Sequence, residues 1–200
     1  MMKFIFINAA LLVFMPFINA QSPIIDLEDK DFRNIVQGAY YKDINNYLDP
    51  FVGTWIHTDG NTSLKIVITK HEMGDAGIIY EDYLKGEYQY IENGTELVNT
   101  LANTEVTTSG FGGSHIIRNN KKPNCNDCTE NERRVSLIIS DYERELAATF
   151  TLKQITVNGE EGLRGFIFGG NPTVYHEDNP PPYFSMNVPD GTYIFMKQED

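Results

Sequence analysis

Two cysteines, one tryptophan and no uninterrupted apolar run of membrane-spanning length set the first limits on this 200-residue chain. Cys125 and Cys128 stand three positions apart, so a framework of several disulfides is excluded. The pair supports a local disulfide pinning a polar loop, two free thiols, or part of a redox or metal site; in an exported protein the disulfide leads. A thioredoxin-type redox pair needs a strand–helix setting, which the surrounding residues do not suggest. A zinc site needs four ligands, and only His115 lies nearby, with His57, His71 and His176 scattered along the chain. The expectation is therefore a Cys125–Cys128 disulfide, with no metal and no cofactor.

Basic residues are scarce as well: 16 Lys and Arg face 28 Asp and Glu. Such a chain repels phosphate backbones, which argues against nucleic acid and anionic membranes as partners. The apolar stretch from Phe4 to Phe17 contains Asn8 and Pro16, and it is shorter than the roughly 20 residues that cross a bilayer. With Met1-Met2-Lys3 before it and Ile18-Asn19-Ala20 after it, the stretch has the layout of a cleavable secretory signal. A membrane anchor is the rival reading. Cleavage before Gln21 removes one lysine, leaving 15 basic against 28 acidic residues, a net of −13. The expected location is then periplasmic or extracellular, with no membrane span in the mature chain.

Nor is there a repeat of fixed period or a shift in composition that would mark a second domain. Residues 1–20 read as signal, 21–48 as a leader, and 49–200 as one domain. Within the leader, Phe32, Ile35, Val36 and Tyr40 recur at spacings of three and four, which predicts a short helix over 29–38 that Gly38 ends. A loosely ordered leader is the alternative. From residue 51 the period changes to two. Leu64, Ile66 and Ile68 share one face of a strand, while Ser63, Lys65 and Thr69 share the other. Asp59-Gly60-Asn61, Asn93-Gly94 and Asn158-Gly159 are hairpin signals, and Gly86 inside a long strand predicts a bulge or bend. Ser109 to Gly113 reads as flexible and Asn119 to Arg134 as a charged loop. The pattern predicts an all-β antiparallel barrel of 8–10 strands with one short N-terminal helix.

Two resemblances bear on this pattern. Gly53-x-Trp55 at the head of the strand series resembles the opening of lipocalins and their calycin relatives. That resemblance implies that Trp55 closes the barrel floor and packs on a basic side chain from a late strand, Lys197 or Arg164. The second is carried by Tyr40-Tyr41-Lys42-Asp43, Phe51-Val52-Gly53-Thr54-Trp55, the segment Tyr80-Glu81-Asp82-Tyr83-Leu84 continuing to Tyr90, and Gly191-Thr192-Tyr193. These resemble an uncharacterised family of small exported bacterial proteins, a domain of unknown function with a lipocalin/calycin-like barrel. It implies the fold and brings no catalytic residues.

Catalytic signatures are missing too. Glu81 and Asp82 are neighbours on a strand and point to opposite faces, so they form no acid–base pair unaided. No nucleophile elbow surrounds Ser109 or Ser114, and Gly110 to Gly113 lacks the residues of a phosphate loop. Aromatics are plentiful, with eleven Tyr and twelve Phe. They are either ordinary core or the lining of a pocket, for which Trp55, Tyr80, Tyr88, Tyr90 and Tyr193 are the candidates. The leading expectation is a non-enzymatic exported barrel binding a small hydrophobic or amphipathic ligand or an envelope protein. The alternatives are an envelope hydrolase using barrel-lining carboxylates, and a filled barrel whose loops bind another protein.

Overall fold

Alternating apolar and polar residues build one continuous sheet. The computed structural model describes residues 22–103, 110–118, 125, 127–170 and 181–199. Its strands are β1 (Ile24–Asp26), β2 (Tyr40–Lys42), β3 (Gly53–Asp59), β4 (Thr62–Asp75), β5 (Tyr80–Glu92), β6 (Thr95–Asn99), β7 (Phe111–Arg118), β8 (Arg133–Asp141), β9 (Leu146–Val157), β10 (Glu160–Phe168) and β11 (Gly191–Lys197). Eight of them, β3–β5 and β7–β11, close into an antiparallel barrel. Closure is made by β7, which pairs with β8 on one side and with β5 on the other, through Leu84↔Gly113 and Gly86↔Phe111. Closure leaves these eight strands only short stretches of unpaired edge, in β7 beyond Gly113 and in β11 before Met196.

The second edge of β5 is divided along its length. β2 lies parallel to it at Tyr40↔Tyr80, β7 takes the middle, and β6 pairs from Gln89 to Glu92. β1 extends β2 in parallel, so residues read from sequence as a leader belong to the sheet. The helix expected over 29–38 is not formed. A 3-10 turn at Leu27–Asp29 is followed by turns and bends, and Phe32 and Val36 are exposed rather than packed along one stripe. No helix among the described residues is long and apolar enough to cross a membrane. The expected signal at residues 1–20 lies outside the described residues.

Two hairpins close as their sequences predict. Asn93 and Gly94, and again Asn158 and Gly159, all take positive φ, the conformation a two-residue turn of matching twist needs. No bulge falls at Gly86, because β4 and β5 pair without a break through it. The register shift falls instead between His71 and Gly74. Gly86 is glycine for a different reason: a Cβ there would collide with the Phe111 ring.

Among the described residues the interior is closely packed. Leu64, Ile66, Leu84, Tyr88, Val135, Ile139, Phe150, Leu152, Leu163 and Phe195 have lost essentially all contact with solvent. Phe111 and Phe150 meet edge to face with centroids 5.5 Å apart, and Phe195 stands 6.3 Å from Phe150. Gly165 makes the space for this cluster, since a Cβ there would come within 2.7 Å of both the Phe150 and Phe195 rings. Leu27, Leu48, Phe51 and Trp55 cover one end of the core. Met186 and Val188, in the segment leading into β11, pack onto the other. Buried Asp141 ties that segment down by accepting from the Asn187 backbone N–H at 2.7 Å.

Candidate functional site

Of the five expected ligand-lining residues, Trp55, Tyr88, Tyr90 and Tyr193 belong to the buried core cluster and Tyr80 lies outside it. Trp55 is buried at the floor, its Nε1 donating to the Phe51 carbonyl at 3.0 Å, with the Lys197 ammonium 5.5 Å from its ring centroid. Of the two basic residues considered for that role, Lys197 fills it. Tyr88, Tyr90 and Tyr193 belong to the packed core. The Tyr88 hydroxyl donates to the Ser140 carbonyl at 2.9 Å, that of Tyr193 to the Pro189 carbonyl at 2.6 Å, and that of Tyr90 to Glu92 at 3.2 Å. Burial, with Glu92 nearby, pushes the Tyr90 phenol up to about 12, and burial likewise raises Tyr88 and Tyr193, so all three act as neutral donors. Tyr80 stands apart, partly exposed where β2 meets β5.

A different set of residues forms a cleft of about 420 Å³ at the rim near the Trp55 end, between residues 27–32 and β7. Leu27, Phe32 and Ile116 supply apolar surface; Lys30, Ser114, His115 and Arg118 supply polar groups. Lys30 donates to Glu81 and lies 3.3 Å from the Ser114 hydroxyl, which itself donates to Glu81 at 2.8 Å. The same ammonium sits 4.8 Å from the Phe32 ring centroid, and the His115 ring meets Phe32 edge to face at 5.5 Å. Arg118 pairs with Glu28 at 2.9 Å and Asp29 at 2.6 Å, and Arg133 also pairs with Glu28. Crowding by its neighbours, reinforced by the Lys30 charge, lowers the His115 pKa from its ordinary value and leaves a neutral imidazole at pH 7.

The cleft therefore presents apolar surface beside polar groups whose charges are already matched. The Ser114 hydroxyl donates to Glu81 and Lys30 contributes donors to both, so the three form one hydrogen-bonded cluster. Buried carboxylates elsewhere are occupied in the same way. Asp82 accepts from the Tyr40 hydroxyl at 2.5 Å and from the Asp43 and Met73 backbone N–H groups at 2.9 Å each. Asp43 accepts from the Tyr47 and Leu48 N–H groups and from Lys70. Glu81 and Asp82 do face opposite ways, as their separate partners show.

The cysteine loop makes a second cluster. The Cys125 and Cys128 Cα atoms are 5.5 Å apart and their sulfurs are in bonding contact. Strand register places Arg134 (β8), Lys153 (β9) and Arg164 (β10) side by side beneath the loop. Asp127 receives two bonds from Arg164, at 2.7 and 2.9 Å, and pairs with Lys153 at 3.3 Å. The Arg164 guanidinium holds the Asp127 carboxyl well below the usual carboxylate range.

Sequence reasoning missed the rim cleft because its two walls lie more than eighty positions apart, and nothing local marks Lys30 or Ser114 as neighbours. Comparison with curated proteins and with solved structures finds no match to this chain. Residues 1–198 match the family of unknown function DUF6705, to which the chain belongs.

Proposed function

We propose that this is an exported, non-enzymatic binding protein. The filled barrel acts as a rigid support, and the rim cleft takes a small, electrically neutral amphipathic molecule. The observation that carries this reading is the lining of the cleft. Exposed Phe32 faces polar groups whose charges are already matched, Lys30 by Glu81 and Arg118 by Glu28 and Asp29, with a neutral His115 imidazole beside them. A volume of about 420 Å³ falls in the range of small-molecule sites. An anionic head group would displace Glu81 or Glu28 from its cation and would meet a strongly acidic protein. A neutral amide or alcohol would exchange hydrogen bonds with Ser114 and His115 at no such cost.

Calorimetric titration with medium-chain amides, alcohols and carboxylates tests this. The neutral compounds bind, and the carboxylate of equal length binds at least ~10-fold more weakly, ~1.4 kcal/mol. Phe32→Ala weakens binding by a similar factor and leaves the melting temperature unchanged, since Phe32 is 61% exposed. Preference for the carboxylate, or indifference to Phe32→Ala, would remove the proposal. A loop-mediated protein-binding module is the second reading, favoured by the same filled core. The saturated hydrogen bonding of Asp43 and Asp82 favours structural roles for them over hydrolysis. Export rests on the layout of residues 1–20, and the disulfide rests on the contact between the two sulfurs.

A further inference from the structure

We infer that Cys125 and Cys128 form a redox-active pair that exchanges with external thiols, with Cys125 as the sulfur released as thiolate. This rests on the disulfide proposed above. Its basis is an asymmetry between the two sulfurs. Cys125 is buried, and its Sγ lies 3.9 Å from the Lys153 ammonium and 3.7 Å from the Arg164 guanidinium, with the Asp127 carboxylate, itself paired with both cations, at 3.4 Å. Cys128 is more exposed, and its Sγ lies 3.5 Å from the Glu132 carboxylate, which pairs with Lys153 at 3.1 Å. Cations stabilise a thiolate and a carboxylate opposes one; two cations outweigh one carboxylate at Cys125, while a carboxylate stands against Cys128, so negative charge released on reduction settles on Cys125. Both cations come from the rigid wall of the barrel, where register fixes Lys153 opposite Arg164. They are in place before any charge forms.

The exchange follows from that polarity. An external thiolate attacks the accessible Cys128 sulfur, the Cys125–Cys128 bond breaks, and Cys125 departs as thiolate between Lys153 and Arg164. A better-stabilised leaving thiolate departs faster. A second external thiolate then attacks the external sulfur of the mixed disulfide. It releases an oxidised disulfide and leaves Cys128 to take up a proton. Two external thiols are oxidised, the protein pair gains two electrons, and the reaction reverses when an external disulfide is in excess.

The rival use of these residues is a metal site, because Cys125, Asp127 and Cys128 offer ligand atoms within 4.8 Å of one another. Two cations against the Cys125 sulfur repel a metal ion, and Asp127 is already engaged by Arg164 and Lys153. The cluster suits an anion that appears on reduction, not a bound dication.

The test equilibrates the full chain in glutathione buffers of graded ratio, traps thiols by alkylation and reads the adducts by intact mass. Wild type converts from no adduct to two within millimolar glutathione ratios. In the reduced protein, Cys125 alkylates with a midpoint pH below the ordinary thiol value of about 8.5. Lys153→Met combined with Arg164→Met shifts the reduced-to-oxidised ratio at fixed buffer at least ~10-fold toward disulfide, whereas Lys153→Arg keeps the wild-type ratio. A disulfide that millimolar glutathione leaves intact, or a ratio unchanged in the double variant, overturns the redox inference and leaves the disulfide standing. Two alkylated thiols in the protein as isolated, or stoichiometric bound zinc, overturns the disulfide itself. None of these outcomes bears on the rim cleft.

Discussion

Phe150→Ala destabilises the protein by about 3–5 kcal/mol. The Phe150 ring is fully buried, touches Phe111 and Phe195, and rests against the space left by Gly165. The backbone around the hole is held in hydrogen-bonded barrel strands, which limits how far the walls can close. The loss therefore includes both the transfer of the ring and a residual cavity. Urea unfolding followed by circular dichroism measures it, and a midpoint shift with unchanged slope confirms that stability alone has changed. A loss under about 1 kcal/mol would mean that the ring sits in loose surroundings, as it would in a barrel with a ligand cavity.

Asp82→Ala is the second large effect, about 3–5 kcal/mol, because it strands several buried donors at once. The Asp82 carboxylate is 1% exposed and receives the Tyr40 hydroxyl, the Asp43 N–H and the Met73 N–H. Each donor left without an acceptor away from water costs about 1–3 kcal/mol. The damage is local, since these bonds fasten β2 and the turn after it to β5. Backbone amides of residues 40–43 then exchange with solvent faster than those of β8 and β9, and the rim cleft weakens with them because Glu81 is the neighbour of Asp82. Uniform exchange across the barrel, or a stability change within ~0.5 kcal/mol, would contradict a fastening role.

Much of the barrel is legible in the sequence because its inner face alternates strictly. Leu64, Ile66 and Ile68, or Val135, Leu137 and Ile139, read as strands without any coordinates, and the Asn-Gly turns fix where they reverse. β7 was not legible, although it closes the barrel. Its glycines imitate a flexible loop, yet they are there for close approach. Gly113, at φ +154°, lies with its Cα side against the backbone of Ser136 and Leu137, where a Cβ would come within 3.2 Å of a carbonyl oxygen. β1 and β2 are three residues each and parallel, too short for any periodicity to register. The helix expected over 29–38 failed because its apolar spacing serves scattered ends. Ile35 packs against the core while Phe32 and Val36 face solvent.

The candidate sites were less legible, for a related reason. A count of tyrosines cannot distinguish a lined pocket from a packed core. The difference lies in the Phe111, Phe150 and Phe195 rings, which pack in the same buried cluster as Tyr88 and Tyr193. The rim cleft and the cation ladder under the cysteine loop are both products of register. Lys153 and Arg164 are eleven positions apart in the chain and become neighbours only because β9 and β10 pair as they do. Only the two cysteines were visible as a unit, and their chemistry depends on side chains supplied by two other strands.

Crystals of the wild type and of Phe150→Ala pressurised with xenon test the packed interior most directly, since xenon enters empty apolar cavities and leaves filled ones alone. The expected result is no xenon among Tyr88, Phe111, Phe150 and Phe195 in the wild type, and one site at the vacated ring in the variant. Xenon bound among those four side chains in the unmutated protein would show a hollow barrel and return the ligand to its interior.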